Sequence, residues 1–327
     1  MSTNLVDYLA RRGSETARLA DLLRDKGLEG TWLKYLSDAS DLVLDTFFAD
    51  LARCRIDWIQ QHRKALSTFK GSCAIEDPLE PVVPGTLTPG DTPDAVAGKN
   101  SLMSGEWASV IFSGGAATRF FAEAANHPDL KGMRAGGRPP PPKGLFPVTP
   151  VAGRTFLERF FAQALWTGIV ARRMPCMVLM TSPMTDGPLR AWLSQSRLWG
   201  FPKDVVHFVM QAENPRIDGD GDLIATPDGH LMFSGDGHGG IFRALMQPQQ
   251  DGASLLVRLA DRGIRQLILH NVDNAAANAF DPARLGFHAR RQLAMTLTVV
   301  PRRHVREKVG LAVYNLLTHV ASRYHGQ

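Results

Sequence analysis

The sequence predicts an α/β protein in which a helical N-terminal region precedes a largely parallel sheet. Between residues 105 and 310, short apolar runs alternate with helical patterns, as they do in βαβ units. Residues 1–73 instead place apolar side chains at three- and four-residue steps, the period of amphipathic helices. The chain of 327 residues is long enough for roughly two domains of about 100–200 residues each.

The N-terminal region and the segment that follows it differ in composition. From Leu5 to about Ser67 the apolar residues keep the helical spacing, and we predict a helical region over residues 1–73. Residues 74–104 are crowded with Pro, Gly, Asp and Thr, which favour turns and extended chain over helix. We therefore predict that residues 74–104 are a linker that wraps the protein in extended form.

Residues 105–310 are predicted to form an α/β domain. Strands are predicted over 108–112, 176–180, 205–210, 266–271 and 294–300, and helices over 156–165, 188–198, 240–246 and 254–261. Strands separated by helices favour right-handed βαβ crossovers and a parallel sheet that is buried on both faces. Ligands of such sheets bind beyond the carboxyl ends of the strands, so the residues directly after each strand are the candidates for a site.

Composition and charge exclude several classes of protein. Lys and Arg number 37 against 32 Asp and Glu, and the net charge of +5 suits a phosphate-binding enzyme as well as a nucleic-acid-binding protein. No apolar run approaches the roughly 18–20 residues of a membrane span, and the N-terminus lacks a signal-peptide core, so no membrane partner is expected. The 3 cysteines are widely spaced without a Cys-x-x-Cys motif, which fits a reducing cytoplasm. The basic run from Arg290 to Arg306 has no interleaved aromatic residues, so we expect a solvated face or contacts to a substrate phosphate, not to nucleic acid.

Small and charged residues lie where the predicted strands end. The first strand runs into Ser-Gly-Gly-Ala-Ala-Thr-Arg, in which small residues let backbone N–H groups approach a phosphate or a base and Arg119 can neutralise charge. Lys143, within Pro-Lys-Gly-Leu-Phe-Pro-Val, provides a second cation. Gln211 and Asp273 each follow a later strand. Neither the Rossmann glycine fingerprint nor the Walker A pattern is present.

The motifs GGAATR, PKGLFPV, MTSP, QAENP, GDGHGG and HNVDN occur in this order and resemble those of the UDP-sugar pyrophosphorylase family, in its UDP-N-acetylhexosamine pyrophosphorylase-like branch. The similarity extends over roughly Trp107–Gly310. It implies a nucleotidyltransferase fold of the nucleotide-diphospho-sugar transferase type, which is Rossmann-like with a mixed sheet. It also implies a uridylyltransferase that converts UTP and a hexose 1-phosphate or N-acetylhexosamine 1-phosphate into UDP-sugar and pyrophosphate, with Mg²⁺ shared among phosphate oxygens.

The resemblance assigns roles in binding the nucleotide, the metal and the sugar. Arg119 and Lys143 match the family's triphosphate-binding Arg and Lys and are the candidate catalytic residues, and Asp273 matches its metal-binding Asp. The positions that hold the uracil are matched by Gly114, Gly115, Gln211 and Gly237, and a glutamine amide can both donate to and accept from a pyrimidine edge. His238 falls where the family faces the sugar.

Several of these residues also have a purely structural interpretation. Lys143 could be a solvated surface lysine, and Asp273 could cap a following helix. His238 could occupy a left-handed turn position, and Gln211 could satisfy buried backbone groups. The run Asp-Gly-Asp-Gly-Asp over 218–222 resembles the start of an EF-hand loop, but its sixth position is not glycine, so we predict a hairpin turn there.

The chain departs from the family pattern at three places. In the first loop, Ala117 replaces a glycine and Phe120-Phe121 replace Leu-Gly, and an alanine tolerates positive φ poorly. Thr298 stands where the family has a lysine. Residues 311–327 look unrelated to the family and are expected to be an atypical tail of a C-terminally truncated, incomplete domain. These departures leave open an alternative function, a degenerate homologue that binds nucleotide with little or no turnover.

Overall fold

The computed structural model describes residues 3–25, 27, 30, 36, 39–68, 79–81, 92–115, 141–249, 251–301, 303–304, 311–315 and 320–324. The described residues divide into two compact units, one within residues 1–73 and 211–240 and the other within residues 74–210 and 241–327. This division differs from the predicted domain limits, because residues 211–240 group with the N-terminal helices. The substituted first-loop residues, Ala117 and Phe120-Phe121, lie outside the described residues, as does Arg119.

The helices are α1 (Thr3–Arg11), α2 (Ser14–Asp25), α3 (Asp41–Leu51), α4 (Ile56–Thr68), α5 (Pro93–Ser104), α6 (Phe156–Ala171), α7 (Pro183–Gln195), α8 (Gly240–Met246), α9 (Leu255–Asp261) and α10 (Pro282–Arg290). The strands are β1 (Leu79–Pro81), β2 (Trp107–Phe112), β3 (Cys176–Thr181), β4 (Val206–Met210), β5 (Glu213–Pro215), β6 (Phe233–Gly235), β7 (Gln266–Asn271), β8 (Leu311–Asn315) and β9 (Val320–Tyr324). Short 3₁₀ turns span Lys143–Leu145, Arg197–Gly200 and Lys203–Val205.

Helices α1 to α4 confirm the helical N-terminal region. Their apolar faces meet in one core in which Leu23, Phe47 and Ile59 are fully buried. Leu223 and Leu231, from the segment that carries β5 and β6, pack into the same core. Burial of side chains of this size contributes about 1.5–3 kcal/mol each, so these contacts hold the first unit together.

The acidic run over 218–222 forms the predicted hairpin turn. The carboxylate of Asp218 accepts hydrogen bonds from the backbone amides of Asp220 and Asp222, both at 3.0 Å. Ile217 and Leu223 pair as an antiparallel bridge on either side of the turn. Asp218 therefore closes the hairpin through its own backbone neighbours, as Asx turns do.

The prediction of extended chain over residues 74–104 is wrong for its last part, which is helix α5. Thr92 caps this helix by accepting a hydrogen bond from the Ala95 amide, Pro93 occupies its first turn, and Gly105 ends it in the left-handed conformation with φ 69°. Proline and glycine, which suggested a linker, here mark the start and the end of a helix. The rest of the predicted linker lies outside the described residues, apart from β1.

Four parallel strands form the central sheet of the second unit, in the order β4–β3–β2–β7. This confirms the α/β class and four of the five predicted strands. The antiparallel strands that the structure describes belong to two separate small sheets, β1–β8–β9 and β5–β6. The two inner strands, β2 and β3, are buried on both faces, and the core includes Val110, Val178 and Phe160.

The helices around this sheet begin where capping side chains allow. Helix α6 starts after Thr155, whose hydroxyl and the Glu158 carboxylate bond each other's backbone amides in a capping box. Helix α7 begins at Pro183, not at Pro188 as predicted, because Ser182 and Thr185 form its capping box. Pro183 lies in the first turn, where proline is common, whereas Pro188, at which the helix was predicted to begin, lies inside it.

The predicted strand over residues 294–300 is wrong, because the segment is irregular. Two threonines fix it through side chains: Thr296 contacts His288 at 2.8 Å, and Thr298 accepts a hydrogen bond from Arg284 at 3.3 Å. The alternate positions Met295 and Leu297 are 68% and 62% exposed. The alternating pattern is typical of a strand, but no ladder of backbone hydrogen bonds to another described strand supports it.

Strands β8 and β9 show that the predicted C-terminal tail contains regular structure. They pair with each other as an antiparallel hairpin, and β8 also pairs with β1. Among the described residues, no helix combines the length and the apolar character that crossing a bilayer requires.

Candidate nucleotide and metal site

The candidate site of the second unit lies at the carboxyl edge of the parallel sheet. Phe112, the last residue of β2, pairs with Met180 of β3 and with Asn271 of β7, so the three strands end at the same level. The Val272 amide continues the pairing by donating to the Phe112 carbonyl oxygen at 3.2 Å. Gly114, two residues after β2, and Asp273, two residues after β7, therefore follow neighbouring strands at one edge, where such sheets bind ligands.

The turn that carries Lys143 packs tightly against this edge. A Cβ atom at Gly144 would lie 3.0 Å from side-chain atoms of both Leu157 and Val272, so only glycine fits there without displacing them. The Phe146 amide closes the turn by donating to the Lys143 carbonyl oxygen at 3.0 Å. Close packing of Gly144 thus fixes the backbone position from which the Lys143 side chain extends.

Lys143 and Asp273 form an ion pair at this edge. The lysine Nζ atom donates to Oδ2 of Asp273 at 2.8 Å, and the two side chains are 22% and 39% exposed. No helix begins directly after Asp273, so it does not act as a helix cap, and the ion pair makes Lys143 more than a solvated surface lysine. An ion pair this exposed contributes about 1 kcal/mol or less to stability, so its chemistry matters more than its contribution to folding.

The MTSP motif at the end of β3 has a structural use. The Thr181 hydroxyl donates to the Asp186 carboxylate at 2.7 Å, and Asp186 also accepts from Arg190 at 2.7 Å. With the Ser182 capping box, these contacts fix the start of α7. The polar side chains of this motif therefore shape the end of β3 and the start of α7.

Gln211, Gly237 and His238 belong to the first unit. The Gln211 side-chain amide lies against Gly235, where any Cβ atom would overlap it. Among the described residues, no backbone group bonds the Gln211 side chain, so the structural interpretation of this glutamine gains no support. Gly237 has a positive φ of 77°, whereas His238 does not, so the left-handed residue of this turn is the glycine. The His238 side chain follows the turn and is exposed.

A buried histidine next to the site escaped the sequence analysis. Nε2 of His270, on β7, lies 3.1 Å from Oγ of Ser109 on β2, and its ring is 4.5 Å from that of Phe160. Burial, together with the nearby guanidinium groups of Arg284 and Arg159, lowers the pKa of His270 to about 4, against the opposing effect of a hydrogen bond to the Asn271 backbone. Alternation along β7 could have placed residue 270 inside, but its partner Ser109 is 161 positions away.

The donor set fits a magnesium ion that arrives with a nucleotide. Within the part of the chain that the structure describes, no group of three or more Asp, Glu, His or Cys could hold a metal unaided. Mg²⁺ is commonly held by one or two carboxylates together with substrate phosphates and water. Asp273 at the sheet edge supplies one such carboxylate.

Comparison with known proteins agrees with this geometry. Residues 139–319 match the family described as UTP–glucose-1-phosphate uridylyltransferase. UDP-N-acetylglucosamine diphosphorylase 2 from Arabidopsis thaliana is 30% identical over 218 residues, which are 66% of this chain and 41% of that protein. The crystal structure of the Trypanosoma brucei uridine diphosphate N-acetylglucosamine pyrophosphorylase superposes with a TM-score of 0.63 at 18% identity, covering 99% of this chain and 61% of that one. A structure from Entamoeba histolytica, described as a putative UDP-N-acetylglucosamine pyrophosphorylase, has a TM-score of 0.61 at 21% identity, covering 76% and 58% of the two chains.

The chain therefore belongs to the UDP-sugar pyrophosphorylase family of α/β nucleotidyltransferases. Within it, the relatives point to the UDP-N-acetylhexosamine pyrophosphorylase-like branch. The family match extends through residue 319, into the segment that the sequence analysis treats as unrelated, and it starts after Gly114 and Gly115. The chain spans about two fifths of the length of the Arabidopsis relatives, 41% and 40%.

Proposed function

We propose that this protein is a uridylyltransferase that transfers UMP from UTP to a hexose 1-phosphate or an N-acetylhexosamine 1-phosphate, releasing pyrophosphate. The observation that carries the proposal is the pair of Lys143 and Asp273 at the carboxyl edge of the sheet, beside the end of β2. A cation and a metal-binding carboxylate at one point are what transfer of a charged phosphoryl group requires. Family membership supports this choice over other phosphate chemistry.

In the proposed mechanism Lys143 binds a phosphate oxygen of UTP and stabilises the charge that develops as pyrophosphate leaves. Asp273 would hold Mg²⁺, which neutralises phosphate charge when bound. Arg119 is proposed, from the resemblance alone, as a second cation for the triphosphate. Lys143 must exchange Asp273 for phosphate in this scheme, and the modest strength of an exposed ion pair makes that exchange easy.

The remaining site residues are proposed to bind the two ends of the substrates. Gly114, Gly115 and Gly237 would let backbone groups approach the uracil, and the Gln211 amide would bond its edge. His238 is proposed to face the sugar, and its exposure is consistent with a ligand contact. Nucleic acid is not a proposed partner, because Arg290 and Arg291 of the basic run are already bonded to Asp94, at 2.5 and 3.0 Å. The free thiols of Cys54 and Cys176 support the cytoplasm as the proposed location.

A degenerate binding protein is the second candidate, favoured by Ala117 in the first loop and by Thr298. Arg284 donates to the Thr298 hydroxyl at 3.3 Å, so this threonine has a structural contact in the fold. The deciding experiment measures pyrophosphate release from UTP, Mg²⁺ and a panel of hexose 1-phosphates, with UTP-dependent thermal stabilisation on the same sample. Release with one sugar supports the enzyme and names its substrate. Stabilisation without release supports the binding protein. A protein that shows neither pyrophosphate release nor stabilisation by UTP would contradict both candidate functions.

A further inference from the structure

Asp273 sits on a loop that has few side chains capable of anchoring it. Residues 273–278 read Asp-Asn-Ala-Ala-Ala-Asn, and all of them except Ala277 are exposed. Val272 before the loop and Phe280 after it are buried, so the core holds only the two ends. Alanine side chains offer little reach, and the position of the loop therefore depends on contacts to its backbone.

Two consecutive turns connect Asp273 to Ala277. The Asn274 amide donates to the Asn271 carbonyl oxygen at 3.2 Å, and the Ala277 amide donates to the Asn274 carbonyl oxygen at 2.9 Å. The Asn274 side chain adds a bond from the Ala276 amide at 3.2 Å. Because both turns include Asn274, a shift of Ala277 is passed back to Asp273.

Three side chains from two helices hold the carbonyl groups at the far end of these turns. Arg159 and Gln163 lie one turn apart on α6, and both donate to the Ala277 carbonyl oxygen, at 3.4 and 3.3 Å. Arg284 on α10 donates to the next carbonyl oxygen, that of Asn278. Side chains of both α6 and α10 thus hold the loop.

The environment of Arg284 indicates that this residue serves to position the loop after β7. Burial lowers the pKa of its guanidinium, with the charge of Asp281 opposing the shift, and no carboxylate of the described residues lies within ion-pairing distance. Its contacts are instead the Asn278 carbonyl oxygen and the Thr298 hydroxyl. A half-buried cation without a carboxylate partner adds little net stability. Arg284 therefore contributes mainly by fixing the position of the groups that it contacts.

We propose that Arg284, together with Arg159 and Gln163, is a positioning residue that holds the loop after β7 and thereby aims the Asp273 carboxylate at the metal. This inference rests on the proposed function, in which Asp273 binds Mg²⁺. Residues that orient a metal ligand typically change metal affinity about 10–100-fold when they are replaced. The effect should therefore appear in metal-dependent binding of UTP and not in binding of UTP alone.

The test measures the affinity for UTP by calorimetry twice, in EDTA and in saturating Mg²⁺, and takes the ratio of the two affinities. Asp273→Asn should bring this ratio to about one. We expect Arg284→Met to lower the ratio about 10-fold, or to about one if the wild-type ratio is smaller than 10. The affinity for UTP in EDTA should stay unchanged. Arg284→Lys should recover part of the ratio, and Arg284→Met should have no further effect in the Asp273→Asn background.

Two further variants make the result interpretable. Gln163→Met removes one loop contact without touching a charge, and it tests the inference if Arg284→Met fails to fold. Arg258→Met is the matched control, since Arg258 on α9 pairs with Asp251 at 2.5 Å, both side chains are exposed to solvent, and the ratio should be unchanged.

Folded Arg284→Met and Gln163→Met with the wild-type ratio would overturn the inference, as would equal losses of affinity in EDTA and in Mg²⁺. Wild-type protein that binds no UTP under either condition would overturn the proposed function, and this inference with it.

Discussion

The Nζ atom of Lys143 lies 2.8 Å from Oδ2 of Asp273, although the two residues are 130 positions apart in the chain. Both side chains are partly exposed, so each remains available to a phosphate or a metal ion. The pair thus joins two functional groups that the proposed reaction uses separately.

Loss of either member should impair catalysis much more than folding. We expect Asp273→Asn and Lys143→Met each to lower turnover about 100-fold or more, because each removes charge stabilisation from the transition state. Stability should change by about 1 kcal/mol or less, as is usual for exposed ion pairs. Pyrophosphate release and thermal unfolding measure the two effects. A large loss of stability with turnover retained per folded molecule would contradict the assignment.

Gly144 should be as important for placing Lys143 as the charge itself. A Cβ atom there meets the buried side chains of Leu157 and Val272 at 3.0 Å, so we expect the turn in Gly144→Ala to shift by a few tenths of an ångström. Such overpacking costs about 1–3 kcal/mol, and the shifted lysine should also weaken UTP binding. Denaturant unfolding and calorimetry check the two effects.

The control for Gly144→Ala is Gly187→Ala, in helix α7. A Cβ atom at Gly187 meets nothing within 4 Å, so helix propensity should stabilise this variant by up to about 1 kcal/mol. Equal stabilities of the two variants would show that packing at Gly144 does not matter.

The sequence predicted the central fold because each central strand is marked locally. Strands such as Cys176–Thr181 are short continuous apolar runs, and burial on both faces of a parallel sheet produces that pattern. Residues 294–300 have a strand-like composition but pair with no strand among the described residues, and no local pattern reveals whether a partner is present. Helix α5 was missed because its proline and glycine are caps, and the same residues in another context start turns.

The candidate site was partly predictable for a similar reason. Lys143 and Asp273 carry charge in recognisable motifs, and Asp273 follows a strand that ends at the carboxyl edge of the sheet. Arg284 and Gln163 lie inside ordinary helical patterns, and their contact with the loop after β7 depends on the tertiary fold. A single sequence therefore indicates the charged residues of a site more readily than the residues that hold them in position.

Helices α5 and α10 should tolerate no side chain where they cross. A Cβ atom at Gly98 would overlap the Pro282 carbonyl, and one at Gly286 would overlap the Asp94 carbonyl. Helix propensity favours Gly98→Ala by about 1 kcal/mol, but a clash with backbone has no flexible neighbour to absorb it. We therefore expect a net destabilisation of about 3 kcal/mol or less, measured by urea unfolding. A Gly98→Ala protein more stable than the wild type would show that the helices separate without cost.

His270 should make the protein lose stability as the pH falls. Its pKa is about 4 in the folded protein against 6.5 in an ordinary histidine, because burial disfavours the charged ring. Below pH 6.5 the unfolded chain therefore binds a proton that the folded chain does not, and stability falls until both forms are protonated near pH 4. Over this window the histidine accounts for up to about 3 kcal/mol.

The charged groups around His270 act in the same direction. Arg159 on α6 and Arg284 on α10 both oppose protonation of the ring, while Ser109 on β2 contacts the neutral ring from the adjacent strand. Replacing His270 with Gln, which does not titrate, should flatten the dependence of the unfolding free energy on pH between about 6.5 and 4 relative to the wild type. Parallel curves for the two proteins across this window would mean that His270 is protonated as easily in the fold as in the unfolded chain, and that the basic residues behind the loop of Asp273 do not restrict its charge.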